Sequence, residues 1–271
     1  GPRGFKVKVS DRDMTLPDGT KVASGLSLRN SFHLDPRMKA DLFLPCGGRP
    51  KSVNGLNWKA LLDKDGRPIF KWIVEGANLF ITQDARLKLE EKGVVLFKDS
   101  STNKGGVISS SLEVLAGLAL DDADFRKCMM TKGGAEPGFR KRYIEEIITV
   151  VRAKADAEFE ILWSMHKGTG RPISELSDML SGKINQITSS IENSTLFENI
   201  RLRKAAIIAH TPKTLLDKVG IYALLKKVPV SYQRAMFARC LASSFVYKHG
   251  IDAGFEDYRS FINNFAARRQ I

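Results

Sequence analysis

Residues 70–120 read FKWIVEGANLFITQDARLKLEEKGVVLFKDSSTNKGGVISSSLEVLAGLAL, and this stretch decides the predicted fold. Two apolar runs, Phe70–Val74 and Val94–Phe97, have the length and composition of buried strands. Between them, residues 82–92 repeat apolar side chains at helical spacing, and residues 105–120 form a second helix-compatible segment. A strand, a helix and another strand in this order predict two parallel strands joined by a crossover helix.

Two further strands are expected upstream of this unit. Asp41–Pro45 is a short apolar run that ends in a glycine turn, and Lys6–Val9 alternates polar and apolar residues. Trp72 lies within the apolar run of its strand, and we expect its indole ring in the core.

The pattern becomes helical almost throughout after residue 121. Apolar residues recur at spacings of three and four from Ile144 to Trp163, and Lys132–Gly138 has the composition of a linker loop. We therefore predict an α/β fold: a partial Rossmann-like parallel sheet in residues 1–120, followed by an all-helical C-terminal domain in residues 121–271.

Composition limits the function classes. The 271 residues carry a formal net charge of +13, but the excess is divided almost equally between the two parts, so nucleic-acid binding is only a weak alternative. No run of 18 apolar residues is present, and we expect no membrane span. The three cysteines are far apart and form no CxxC motif, which argues against a disulfide framework and a structural zinc site; they are Cys46, Cys128 and Cys240.

Three loops follow predicted strands, and ligands of open parallel sheets bind outside the carboxyl ends of strands. These loops are Pro45–Pro50, Glu75–Asn78 and Asp99–Val107. Asn78 and Asn103 each offer an amide donor and a carbonyl acceptor, which suits a carboxamide or a sugar hydroxyl. The alternative is that glycine and asparagine are here only because tight turns use them.

The third loop leads into a helix whose first turns carry hydroxyl groups. Gly105 and Gly106 precede Ser109, Ser110 and Ser111. Free backbone N–H groups at a helix start favour anions, and a hydroxyl there can hold a carboxylate.

The motifs VEGAN at 74–78 and NKGGVISSSLE at 103–113 resemble the cofactor domain of glutamate dehydrogenases, whose usual forms are close to EGAN and NAGGVTVSYFE. Longer stretches, ADLFLPCGGRPKSVN at 40–54 and VPVSYQRAMFARCLASSFVYKHG at 228–250, look like the large, NAD-specific class of that family. The resemblance spans essentially the whole chain.

This resemblance implies oxidative deamination of L-glutamate to 2-oxoglutarate and ammonium, with NAD as the hydride acceptor. Asn103 matches the asparagine that holds the nicotinamide carboxamide, and Ser110 matches the serine that contacts the distal carboxylate of glutamate. The implied NAD contacts are Cys46, Gly47, Gly48, Gly76, Ala77, Asn78 and Asn103. The implied substrate contacts are Asn78, Val107 and Ser110.

The departures from the family pattern predict that the chain is the C-terminal part of a longer enzyme. No segment matches the substrate domain that carries the family's catalytic lysine and aspartate, and no GxGxxG follows a strand. We therefore assign no catalytic residue and no metal ligand, and expect two partners: the preceding part of the polypeptide and further copies of the chain in a homo-oligomer. The alternative is a non-catalytic structural or binding module. The family occurs in the mitochondrial matrix and the cytoplasm.

A half sheet would have an uncovered edge strand. Such an edge is a template for pairing with another chain, so we expect the chain to need more polypeptide or to associate.

Overall fold

The computed structural model describes residues 6–35, 38–47 and 49–267. They divide into two compact units: one runs to Asn103 and includes Pro172–Ser174, and the other comprises Lys104–Arg171 and the residues from Glu175 onward. The two units meet in the chain after Asn103. The predicted boundary between a cofactor domain in residues 1–120 and a helical domain in residues 121–271 stays a prediction.

The first unit contains a small parallel sheet, a separate hairpin and short helices. Its strands are β1 (Arg12–Thr15), β2 (Lys21–Ser24), β3 (Ala40–Phe43), β4 (Phe70–Val74) and β5 (Val95–Phe97). Its helices are α1 (Gly25–Ser31), α2 (Gln83–Glu91) and α3 (Asp99–Thr102), and single 3-10 turns cover Phe32–Leu34 and Trp58–Leu61.

The sheet has the order β3-β4-β5 and all its strands are parallel. Helix α2 connects β4 to β5, so the predicted crossover unit is confirmed. The strands and α2 enclose one apolar core, because Ile73, Leu89 and Leu96 are completely buried. The three carboxyl ends therefore lie at one edge of the sheet, as the candidate site requires.

The prediction of a strand at Lys6–Val9 is wrong. Asp11 N–H donates to the Lys8 carbonyl at 3.1 Å, and Lys8 N–H donates to the Asp11 carboxylate at 2.8 Å, which closes a turn there. The alternation in Lys6–Val9 is too short to distinguish a strand from a turn that uses the same residues.

The expectation for Trp72 is also wrong: its side chain is 36% exposed.

The second unit is helical, which confirms the predicted α/β class with a helical second part. Its long helices are α6 (Gly138–Thr169), α7 (Ile173–Glu192) and α11 (Val230–His249). The shorter ones are α4 (Gly105–Ala119), α5 (Asp122–Met129), α8 (Ile200–His210), α9 (Lys213–Val219), α10 (Ile221–Lys227) and α12 (Phe255–Ala267), with a 3-10 turn at Thr195–Glu198. In the described part of the chain, no helix is long and apolar enough to cross a membrane.

Helix α4 lies in the core of the second unit. One of its faces is fully buried, with Leu112, Leu115 and Ala116 packed among residues of α6, α9 and α10. Two phenols also reach its backbone: Tyr143 donates to the Leu112 carbonyl at 2.6 Å and Tyr232 donates to the Ser111 carbonyl at 2.9 Å. The middle of α4 is therefore fixed by packing and by hydrogen bonds.

Strand β3 presents an open edge. Leu42 on this strand is 47% exposed and Leu44 just past it is 53% exposed, and among the described residues only β4 pairs with β3. We expect the isolated chain to associate as its concentration rises, and Leu42→Lys to weaken this association because a charged side chain blocks edge pairing. Light scattering after size-exclusion chromatography measures it.

Leu56→Lys is the matched control, because Leu56 is 98% exposed and lies outside every strand. Equal effects of the two substitutions, or a monomer at every concentration, would contradict the assignment to the β3 edge.

Candidate functional site

The loops that follow β3 and β4 touch each other. Ala77 N–H donates to the Pro45 carbonyl at 2.7 Å. A Cβ placed on Gly76 would lie 3.2 Å from Cys46 Sγ and 3.5 Å from the Pro45 carbonyl oxygen. A side chain at position 76 would therefore crowd the Cys46 thiol, whereas its contact with the Pro45 backbone would be an ordinary one.

Asn78 and Asn103 meet directly. The Asn103 side-chain amide donates to Asn78 Oδ1. In the part of the chain that the structure describes, Asn103 Oδ1 and Asn78 Nδ2 have no partner, so the pair presents a free carbonyl acceptor together with free amide N–H donors. A carboxamide or a ribose hydroxyl can bind such a combination.

A buried ionic network connects the second and third loops. Arg86 on α2 donates from Nε to Glu75 Oε2 at 2.7 Å and from a terminal nitrogen to Asp99 Oδ1 at 3.1 Å. The side chains of Arg86, Glu75 and Asp99 are 5%, 0% and 9% exposed. The guanidinium is thus shared by two carboxylates that follow neighbouring strands.

The same carboxylates hold the loop backbone. Glu75 Oε1 accepts the Ile81 N–H at 3.0 Å, and Asp99 Oδ2 accepts the Leu79 N–H at 2.7 Å. Leu79 has a φ of +55°, a left-handed conformation that is strained for leucine, and this hydrogen bond helps to retain it. The Asp99 carbonyl accepts the Asn103 N–H at 3.0 Å. The network therefore sets the position of both asparagines.

Burial and charge oppose each other at Glu75. Desolvation raises the pKa of the Glu75 carboxyl above its usual range, while the Arg86 guanidinium and the Ile81 N–H act in the opposite direction. Because the pKa is raised in the folded state, the Glu75 carboxyl makes its full contribution to the free energy of unfolding at pH values below its ordinary pKa of 4.5. This contribution is lost as the pH rises through the pKa of the folded state. Arg86 limits that loss.

A cavity of about 700 Å³ adjoins the first loop. Cys46, Gly47 and Arg49 line it, together with the rings of His33 and Phe43. Burial lowers the pKa of His33, which favours a neutral imidazole. Cys46 is an exposed thiol. Gly48, a predicted cofactor contact, lies outside the described residues.

Val107 and Ser110 lie on α4 in the second unit. Val107 is 72% exposed, and the hydroxyl of the exposed Ser110 donates to the Val107 carbonyl at 3.2 Å. Both side chains are accessible to a ligand. Within residues 6–35, 38–47 and 49–267, no three His, Cys, Asp or Glu side chains form a group that could hold a metal ion.

The structure places six of the predicted cofactor contacts together in the first unit: Cys46, Gly47, Gly76, Ala77, Asn78 and Asn103. Sequence reasoning missed the supporting network. A signal was available, because Arg86 falls beside Ala85 and Leu89 on the apolar face of α2, where an unpaired guanidinium would be too costly.

A comparison with models of protein families matches residues 7–170 to the family described as Glutamate/Leucine/Phenylalanine/Valine dehydrogenase. This match covers more than half of the chain and includes all three strand-end loops and α4. The chain therefore belongs to this dehydrogenase family.

Individual proteins that resemble the chain support the same family membership. Glutamate dehydrogenase 2 of Dictyostelium discoideum is 48% identical over 252 residues, which are 93% of this chain and 24% of that protein. The NAD-specific glutamate dehydrogenases of Neurospora crassa and Saccharomyces cerevisiae are 44% and 41% identical, and the match covers 91% and 96% of this chain. The chain spans about a quarter of the length of these curated relatives. No solved structure matches it.

Arg86→Met tests the network. The change leaves two buried carboxylates without their counter-charge, so we expect a loss of about 3–5 kcal/mol in the free energy of unfolding near neutral pH. The difference in the free energy of unfolding between variant and wild type should shrink as the pH falls, because burial raises the pKa of the Glu75 carboxyl, which then binds a proton in the folded state. Urea unfolding at several pH values measures both effects.

Arg259→Met is the control, because Arg259 pairs with Glu256 at 2.7 Å on the surface, where both side chains are well exposed. It should leave stability nearly unchanged. An Arg86→Met loss that does not vary with pH would contradict the electrostatic explanation.

Proposed function

We propose that this chain is part of an NAD-dependent glutamate dehydrogenase, an enzyme that deaminates L-glutamate oxidatively to 2-oxoglutarate and ammonium. In this proposal the chain supplies contacts to the nicotinamide half of NAD and to glutamate, whereas the catalytic lysine belongs to another part of the whole protein. The family membership and the names of the relatives support it.

The observation that carries the proposal is the paired amides of Asn78 and Asn103 at the carboxyl edge of a parallel sheet. A flat ring can approach here because the adjoining residues, Gly76 and Ala77, are small. The free acceptor on Asn103 and the free donor on Asn78 match the amide group and the ribose hydroxyl of a nicotinamide nucleoside. These residues therefore fit the cofactor.

The chain's own residues would bind and orient the reactants. NAD, when bound, supplies the hydride acceptor. Asn103 would fix the rotation of the nicotinamide ring through its carboxamide, and Ser110 would donate a hydrogen bond to the distal carboxylate of glutamate. Val107 would present apolar surface beside the substrate. Assembly into a homo-oligomer and location in the mitochondrial matrix or the cytoplasm stay predictions from the family resemblance.

The direct experiment measures NADH formation from glutamate by the whole protein and, in parallel, by residues 1–271 alone. We expect activity in the whole protein and none in the isolated chain, because no residue here is assigned as the acid or base. Activity in neither would favour the alternative, in which the chain is a structural or binding module. Activity in the isolated chain would contradict our placement of the catalytic lysine.

Ser110→Ala in the whole protein tests the substrate contact. Loss of a hydrogen bond to a charged group costs about 1.5–3 kcal/mol, so we expect kcat/KM for glutamate to fall roughly 10- to 100-fold. The KM for NAD should change little. Steady-state kinetics with each substrate varied in turn measures this.

Ser109→Ala is a matched control. The Ser109 hydroxyl bonds the Gly106 carbonyl at 3.0 Å, and so makes the same kind of local bond as Ser110 from a different face of α4. Similar losses in the two variants, or a change confined to NAD, would count against the role of Ser110.

A further inference from the structure

The residue that directly precedes helix α4, Lys104, is bound to a buried carboxylate. The Lys104 ammonium contacts both oxygens of Glu158 on α6, and the Tyr247 phenol on α11 donates to Glu158 Oε2 at 2.6 Å. The Glu158 side chain is 2% exposed and that of Lys104 is 28% exposed. All three residues belong to the second unit.

This arrangement compensates the burial of Glu158 with an opposite charge and a hydrogen bond. Burial, together with the neighbouring Glu158 carboxylate, raises the pKa of Tyr247, so the phenol stays protonated and donates a hydrogen bond to Glu158. Hydrogen bonds with a charged partner are shorter and stronger than those between neutral groups. The position of Lys104 is therefore tied to helices α6 and α11.

The first turn of α4 needs such an anchor. It starts with Gly105 and Gly106, and glycine has the lowest helix propensity of any residue except proline. Lys104 occupies the N-cap position, where its side chain forms no capping hydrogen bond. Tyr143 and Tyr232 hold α4 only farther along, at Leu112 and Ser111.

We propose that Lys104 is a positioning residue, which acts through Glu158 and Tyr247 to fix the first turns of α4 and so the substrate contacts Val107 and Ser110. This inference rests on the proposed function. It also predicts that loss of Lys104 weakens the binding of glutamate and not that of NAD. Asn103 is held within the first unit by Asp99 and Asn78, so the contacts to NAD do not depend on the Lys104 anchor.

The test compares Lys104→Met and Lys104→Arg in the whole protein. Displacement of substrate-holding groups by about 1 Å can cost up to ~100-fold in rate, so we expect Lys104→Met to raise the KM for glutamate at least about tenfold. The KM for NAD should stay within about twofold. Lys104→Arg keeps the ion pair with Glu158 and should restore the KM for glutamate to within about threefold of the wild-type value.

Lys213→Met is the matched control. Lys213 also pairs with a carboxylate, that of Asp217, but both side chains are exposed on α9 and belong to no proposed site. The same substitution there should leave both KM values unchanged.

The outcomes separate the two proposals. If the wild-type protein forms no NADH from glutamate, the proposed function fails. If the wild-type protein is active and Lys104→Met leaves the KM for glutamate unchanged, or raises the KM for glutamate and for NAD equally, the positioning role alone is overturned.

Tyr247→Phe covers the case in which Lys104→Met does not fold. It removes one hydrogen bond from Glu158 and keeps the ring and the ion pair. We expect a smaller rise in the KM for glutamate, about threefold, with the KM for NAD unchanged. A Tyr247→Phe enzyme with wild-type kinetics would overturn the proposal.

Discussion

The guanidinium of Arg86 holds the candidate cofactor site together. It bonds Glu75, which follows β4, and Asp99, which follows β5, and both carboxylates in turn accept backbone N–H groups of the loop that contains Asn78. Two buried carboxylates this close would repel each other and would be poorly solvated without the shared cation. The positions of Asn78 and Asn103 thus depend on a buried charged network.

In the second unit, the first turn of helix α4 is also held by a buried ionic bond. Its two glycines leave backbone accessible at the start of the helix but add little helix propensity to that turn. The bond from Lys104 to Glu158 supplies the missing constraint from a different helix. In each unit, taken by itself, the proposed contact residues are thus supported by a buried ionic bond.

Much of the fold was predictable because its signals are local. The apolar runs of β3, β4 and β5 and the periodicity of α2 and α6 are visible within windows of a few residues. The supporting contacts were not predictable, because Lys104 and Glu158 are 54 residues apart and Tyr247 is 89 residues from Glu158. Trp72 was misjudged for a similar reason: burial of a strand residue depends on what covers the sheet, which its own segment does not specify.

Local hydrophobic patterns and short motifs encode the parallel crossover unit, the three strand-end loops, the helical second part and the resemblance to glutamate dehydrogenases, so these features could be predicted without a structure. The three-dimensional structure was needed to show that Asn78 meets Asn103, that Arg86 joins Glu75 to Asp99 and that Lys104 is tied to Glu158. These contacts depend on how elements pack in three dimensions, and a buried charge finds its partner through that packing rather than through its neighbours in the chain.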